Sequence, residues 1–272
     1  MQNFKDKIIV ITGAGSGMGR TLALQLAQRG ALVLLSDIHE VGLAETEHLV
    51  QQQGGRCKSY KMDVGDKPQV EAFAKAVLDE FKFIDVLINN AGMAIGKASF
   101  DEIPMDDFER LINVNLWGVI QHTKLFLPSM LTRPEAAIVN TSSVFGLFPV
   151  PSQVPYCVSK YAVRGFTETL RMELNGTNVA VTCVHPGGIK TNIVNYGIHY
   201  NDGEKVKAEF DKVAITSAEK AASIIIRAIE KKAKRVMVGP DAKLIRFVSQ
   251  LSPNLLDSFV LKRQQQLNAK LK

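Results

Sequence analysis

Apolar runs of strand length recur along this 272-residue chain, at Ile8 to Thr12, Ala31 to Ser36, Arg56 to Met62, Ile84 to Asn89, Ala136 to Thr141, Val179 to Val184 and Arg235 to Val238. Between them the apolar residues switch to helical period, near 18–29, 40–53, 67–81, 106–131, 154–175 and 217–233. Nothing else in the sequence constrains the fold as strongly. A strand apolar on both faces offers no side to water, so it must lie in a sheet covered above and below, and helices returning between strands let neighbours run parallel. The pattern predicts an α/β fold, a doubly wound parallel sheet of about seven strands with helices on both faces. No repeat, low-complexity tract or Pro/Gly-rich linker divides it, so residues 1–239 read as one domain. The stretch "TSAEK" opens the last of these helices with a capping serine, Ser217. Residues 190–215, irregular and dotted with aromatics, break the alternation and are expected to form a substrate loop. Residues 240–272 follow as a basic amphipathic extension.

Bulk properties exclude several classes. With 46% hydrophobic and 22% charged residues the chain is a globular protein, not a disordered one. No run approaches the ~18 apolar residues of a membrane span, and "MQNFKDKIIVITGAG" enters its first strand too early for a signal peptide, so a cytoplasmic location is expected. Cys57, Cys157 and Cys183 are odd in number and far apart, which encodes neither a disulfide framework nor a metal site. The net charge of +6 sits in the tail: Arg227 to Lys272 holds 11 Lys/Arg against 3 Asp/Glu, and everything before it 22 against 24. A nucleic-acid binder carries its charge on the binding domain, so no nucleic-acid partner is expected.

The chemistry begins at "TGAGSGMGR", Thr12 to Arg20, which joins the first strand to the next helix. Glycines at 13, 17 and 19 allow a sharp turn and close approach of backbone to ligand, and the free N–H groups of the new helix attract an anion such as a pyrophosphate. Strand, turn and helix in that order raise a weak motif to a dinucleotide site, with Ser16 and Met18 inside the turn. Asp37 ends the second strand 20 residues after Gly17, where an acid accepts hydrogen bonds from ribose hydroxyls and repels a 2′-phosphate. Neither Ser16 nor Ile38 is basic, although His39 and Arg20 are close by, so NAD is expected over NADP. Asp63, in "MDV" with Val64, could reach an adenine amino group. Asn90, Ala91 and Gly92, in "NNAG", end the fourth strand with residues small enough for a cofactor to lie against.

Further on, Asn115 lies in "NVNLWG", Ser143 ends "IVNTSS" after the fifth strand, and "YCVSK" at 156–160 places a lysine one helical turn from a tyrosine. With these residues in order the chain resembles the short-chain dehydrogenase/reductase family in its single-domain, Rossmann-like form. The resemblance runs from about Lys7 to Val238. It rests on T-G-x-x-x-G-x-G at Thr12 to Gly19, N-N-A-G at Asn89 to Gly92, Asn115, the Ser143 to Tyr156 spacing, Y-x-x-x-K at 156–160 and "HPGGIKT" at 185–191. It implies that Tyr156 is the acid or base, that Lys160 lowers its pKa and holds the nicotinamide ribose, that Ser143 steadies the substrate oxygen and that Asn115 maintains a water-linked proton path. It further implies that Pro186, Gly187, the main chain of Ile189 and the hydroxyl of Thr191 hold the nicotinamide end, with Gly188 and Lys190 filling variable positions. The chemistry agrees independently. Oxidising an alcohol near neutral pH needs a base, and an ordinary tyrosine is about three pH units too weakly ionised, roughly 4 kcal/mol. A lysine at i+4 shares its helix face and its charge favours phenolate. Cys157 points off that face and reads as packing.

For the substrate, "VFGLFPVP" at 144–151 with Phe145, Met93, Ile95, Ile193, Val194, Tyr196, Ile198 and Tyr200 is mostly apolar, without a cluster of Arg or Lys. A lipophilic alcohol, aldehyde or ketone is expected. The same aromatics could instead pack under a lid or a second subunit, and a homodimer or homotetramer is expected. In the tail, Leu244, Ile245, Phe247, Val248 and Leu251, then Leu255, Leu256, Phe259 and Val260, recur near helical period among Lys243, Arg246, Lys262 and Arg263. Such a segment can rest on an anionic membrane surface, or dock across a neighbouring subunit or over the substrate mouth. Two other functions stay open, an NADPH-dependent reductase of 3-oxoacyl thioesters and a dinucleotide-binding sensor or scaffold without turnover. Asp37 speaks against the first, Tyr156 and Lys160 against the second.

Overall fold

A computed structural model of the chain describes Met1, residues 3–200 and 203–251, and positions Ser258 and Leu261. The apolar runs form the strands β1 (Ile8–Thr12), β2 (Leu32–Asp37), β3 (Arg56–Lys61), β4 (Val86–Asn89), β5 (Ala136–Thr141), β6 (Val179–Pro186) and β9 (Arg235–Val238). They pair in parallel throughout, in the order β3-β2-β1-β4-β5-β6-β9. Alternate side chains feed two cores. Ile9, Ile11, Val33, Leu35 and Val139 point to one face, where α1 (Gly17–Gln28) and α8 (Ala218–Glu230) bring Leu22, Leu26, Ile225 and Ile226. Val10, Leu34, Leu87 and Ile138 point to the other, against Phe73 and Val77 of α3 (Lys67–Phe81), Phe126 of α5 (Gly118–Leu131) and Leu170 of α6 (Val154–Glu173). Burial on both faces is why these strands read as continuous apolar runs. The helix α2 (Glu40–Gln52) packs beside α1 and β3, and Ser217 caps α8 by accepting from Lys220 N–H at 3.3 Å.

Three stretches differ from the pattern in the sequence. The long helix expected over 106–131 is α4 (Met105–Ile112) and α5, joined by one wide π turn at Asn113–Trp117. The helical period runs through that turn undisturbed, so the sequence does not show it. Residues 190–215 are less irregular than expected: the two-stranded pair of β7 (Ile189–Lys190) and β8 (Thr216–Ser217) brackets them, and they contain a short 3-10 turn at Ile193–Tyr196 and the helix α7 (Gly203–Val213). Their scattered aromatics mask a polar helix. Finally, α9 (Pro240–Leu251) turns back on the domain, packing Ala242, Ile245 and Val248 against Val144, Phe148 and Met237. Leu255, Leu256, Phe259, Val260, Lys262 and Arg263 lie outside the described residues. No helix among the described residues is long and apolar enough to cross a membrane.

Candidate active site

β1 and β4 are neighbours although three crossovers separate them in sequence, and the chain turns one way from β1 to β2 and the other from β4 to β5. Loops that leave adjacent strand ends in opposite directions open a crevice at the carboxyl edge of the sheet. A cleft of about 530 Å³ lies there, and every residue expected to hold a dinucleotide lines it, from Gly13, Ser16, Gly17, Met18 and Gly19 at one end to Pro186, Gly187, Ile189 and Thr191 at the other.

The glycine-rich turn is shaped as its residues require. Gly13 and Gly17 adopt φ of +66° and +51°, in the left-handed region. A Cβ on Gly19 would stand 2.0 Å from the Gly13 carbonyl oxygen, so only glycine lets α1 start this close to β1. Ser16 takes the N-cap position of α1 with no side-chain bond to the helix and lines the cleft with Gly17, Met18 and Gly19, where the first N–H groups of a helix lack intrahelical partners. Asn90 staples the turn to β4 by donating to the carbonyl oxygens of Thr12 (3.0 Å) and Gly13 (3.2 Å). This cradle, tight enough to exclude a Cβ and unpaired at a helix start, fits a pyrophosphate.

Asp37 lines the cleft at the end of β2 together with Ile38. Its two oxygens accept from Gly15 N–H (2.8 Å) and His39 N–H (2.9 Å), bracing the glycine-rich turn as well as facing the ligand space. Arg20, which stands near enough in sequence to receive a 2′-phosphate, is engaged elsewhere: it donates to the carbonyl oxygens of Gly15 and Gly42, to Thr46 and to Glu45. His39 stacks on Tyr196 across the mouth of the cleft, ring centroids 4.1 Å apart. Asp63 accepts from Gly65 N–H at 2.8 Å and, with Val64, Val114 and Arg110, lines the same end.

At the opposite end, Ser143 follows β5 in extended conformation, its hydroxyl accepting from Phe145 N–H at 3.1 Å and hydrogen-bonding Tyr156. Tyr156 and Lys160 share one face of α6. The Lys160 ammonium donates to the Thr141 carbonyl at 3.1 Å and lies 5.5 Å from the centroid of the Tyr156 ring. This corrects the expected electrostatics. Burial pushes the phenol up to about 12, and the group that opposes the shift is Ser143. Lys160 is not among the groups that shift it, and burial pushes the Lys160 ammonium itself down to about 8. Spacing in a helix fixes the shared face, whereas the distance between the charge and the hydroxyl depends on how β5 receives the lysine.

Asn115 and Phe145 do not line the cleft. Asn115, fully buried in the π turn, accepts from Met93 N–H (2.8 Å) and donates to Met93 O (3.0 Å) and Ser159 Oγ (3.2 Å), so its amide ties the strand-β4 loop to α6. Phe145 packs edge-on to Tyr156 at 5.9 Å. Asn195, Phe210, Ser142 and Arg110 line the cleft without having been legible in the sequence. Phe210 belongs to α7, a helix hidden in an apparently irregular stretch, and no motif marks the other three. Gly188, read as variable, is tightly confined: a Cβ there would stand 2.2 Å from the Val213 carbonyl oxygen.

A parallel sheet with a glycine-rich turn, a carboxylate at the end of β2 and a tyrosine–serine–lysine cluster along one crevice is the architecture of a nicotinamide-dependent oxidoreductase. Residues 7–199 match the family described as short chain dehydrogenase, and the chain belongs to the short-chain dehydrogenase/reductase family. It is an NAD(P)-dependent dehydrogenase/reductase. It is 43% identical over 256 residues to a Mycobacterium tuberculosis protein named as the oxidoreductase SadH, covering 92% of each chain. It is 38% identical over 266 residues to one named as the oxidoreductase EphD from the same species, covering 94% of this chain but 45% of that longer one. Among solved structures, a Burkholderia phymatum short-chain dehydrogenase/reductase in complex with NAD superposes with a TM-score of 0.83 at 30% identity, over 90% of this chain and 94% of the other.

Proposed function

We propose that this protein uses NAD to interconvert a lipophilic alcohol and its carbonyl compound, with Tyr156 as the proton donor and acceptor. The carrying observation is Tyr156 itself, hydrogen-bonded to Ser143 and backed by the Lys160 ammonium, at the end of the cleft away from Asp37. When bound, the dinucleotide supplies or takes up the hydride equivalent. A phenol kept protonated by burial can give its proton to the oxygen of a carbonyl, and Ser143, one hydrogen bond away, can hold that same oxygen. In the reverse direction the group must stand as phenolate so that it can take up the alcohol's proton, and the hydrogen bond from Ser143 favours that form. In this reading Lys160, which lines the cleft, receives the nicotinamide ribose, and Asn115 keeps α6 and the β4 loop in register.

NAD over NADP is supported by Asp37 at the ribose end and by the four partners that occupy Arg20. A lipophilic substrate is supported by the apolar side chains that line the cleft with Tyr156, namely Met93, Ile193, Tyr196 and Phe210. Exposed Trp117 and Val158 offer apolar surface for a homodimer or homotetramer. Contact of the tail with an anionic membrane surface is supported by Leu244, Phe247 and Leu251, all exposed on one stripe of α9.

The test is an absorbance screen for NADH and NADPH consumption across aldehydes and ketones of graded chain length and ring content. NADH-dependent turnover rising with apolar bulk is expected. A preference for NADPH with 3-oxoacyl thioesters, or no turnover with any carbonyl, would overturn the reading.

A further inference from the structure

The turn at Pro186 to Ile189 joins the sheet to the segment that crosses the cleft, and its backbone is held from three sides. Gly187 N–H donates to Val238 O at 2.9 Å, continuing the pairing of β6 with β9. Gly188 O accepts from Thr216 N–H at 3.1 Å. The third support comes from a residue 53 positions away: the Asp241 carboxylate, in the first turn of α9, accepts from Gly188 N–H at 2.7 Å. Its other oxygen is buried with no hydrogen-bond donor among the described residues. The carboxylate lies flat against the turn. A Cβ on Gly187 would stand 2.0 Å from one of its oxygens, and a Cβ on Gly239 would stand 2.4 Å from the other.

We infer that Asp241 is a positioning residue for the nicotinamide end of the cofactor site, setting the plane of the peptide that precedes Gly188 so that Ile189 presents its main chain to the cleft. This rests on the reading that the cleft takes a nicotinamide dinucleotide. Two successive peptide units are fixed, one by Asp241 at Gly188 N–H and the next, whose carbonyl is Gly188 O and whose N–H is that of Ile189, by Thr216. Ile189 N–H points opposite to a carbonyl that is held in place, so its direction is set before any ligand arrives. Ile189 and Gly187 both line the cleft. The glycines at 187 and 239 follow from the same device, because each must leave room for the carboxylate. A first-turn aspartate can also serve only its own helix, through the charge at the helix start. In that case it would support α9 and leave the cofactor untouched.

The experiment separates these roles by comparing NADH with ADP-ribose, which lacks the nicotinamide, in the full-length chain by calorimetry and by NADH fluorescence. In Asp241→Ala, NADH binding is expected to weaken roughly ten- to hundredfold, the range for a lost hydrogen bond to a charged group, while ADP-ribose binding stays within about twofold. In Asp241→Asn the amide oxygen still accepts from Gly188 N–H, and NADH affinity is expected to return to within a fewfold of wild type. Asp241→Ser, which fills more of the space left by the carboxylate, repeats the comparison should the alanine variant fail to fold. Equal weakening of NADH and ADP-ribose, unchanged NADH binding in the alanine variant, or an asparagine variant as weak as alanine would each overturn the inference while leaving the functional reading intact. A wild-type protein that binds neither ligand would overturn the functional reading and this inference with it.

Discussion

Mild acid is expected to destabilise this protein before its carboxylates begin to protonate, because two histidines are buried in their neutral form. His122 on α5 is fully buried beside Phe73 and Phe126, its Nδ1–H donating to Gly118 O at 2.7 Å and its Nε2 without a partner among the described residues. His185 on β6 is fully buried behind Ser143, its Nδ1–H donating to Ser143 O at 2.9 Å and its Nε2 again without a partner among the described residues. Burial lowers each from the ordinary 6.5 to about 4. Between those values the unfolded chain binds protons that the folded chain refuses, so stability is full above pH 6.5 and falls as the pH drops toward 4. At ~1.36 kcal/mol per unit the loss approaches ~3 kcal/mol for each histidine, and the pair removes on the order of 5 kcal/mol by pH 4.5, a large part of a typical total of ~5–15. Urea unfolding followed by circular dichroism from pH 7 to 4.5 measures this directly. His122→Leu, which cannot take up a proton, is expected to start from lower stability but to lose only about half as much on acidification. Wild-type stability that holds within about 1 kcal/mol from pH 7 to 5, or a leucine variant with the full wild-type slope, would refute the reasoning.

Tyr156→Phe is expected to lower kcat by at least 10²- to 10⁴-fold, the usual contribution of a positioned proton donor, with NADH affinity by fluorescence nearly unchanged; substantial residual turnover would remove Tyr156 from its role. Asp37→Ala is expected to shift the kcat/KM ratio of NADPH to NADH upward by roughly tenfold or more, since it removes both the ribose acceptor and the repulsion of a 2′-phosphate, and a wild type that already prefers NADPH contradicts the assignment. Gly188→Ala brings a methyl group to 2.2 Å from Val213 O; displacement of the turn is expected to cost about 1–3 kcal/mol of stability and to weaken NADH binding, both read from thermal melts with and without NADH. Melts and affinities equal to wild type would show that the position is as permissive as its sequence suggested.

Much of this protein was determined by the sequence alone, because the interactions concerned are local or periodic. Strands apolar on both faces dictated a covered parallel sheet, glycines at 13, 17 and 19 dictated the sharp turn into α1, and a helical repeat put Tyr156 and Lys160 on one face whatever surrounds them. Many residues that line the cleft were legible for the same reason, since Gly13 to Gly19, Asp37, Asn90 to Gly92, Ser143 and Pro186 to Ile189 lie at strand ends or turns, whereas Asn115 and Phe145 do not line it. Only the tertiary structure decided how far the Lys160 ammonium stands from the Tyr156 ring, which partners consume Arg20, that α7 brings Phe210 to the cleft, and that Asp241 supports Gly188. Each of these depends on segments tens of residues apart meeting at one edge of the sheet. Burial at that edge then sets the proton affinities of Tyr156 and Lys160, since the cost of holding charge away from water belongs to the surroundings and not to the residue.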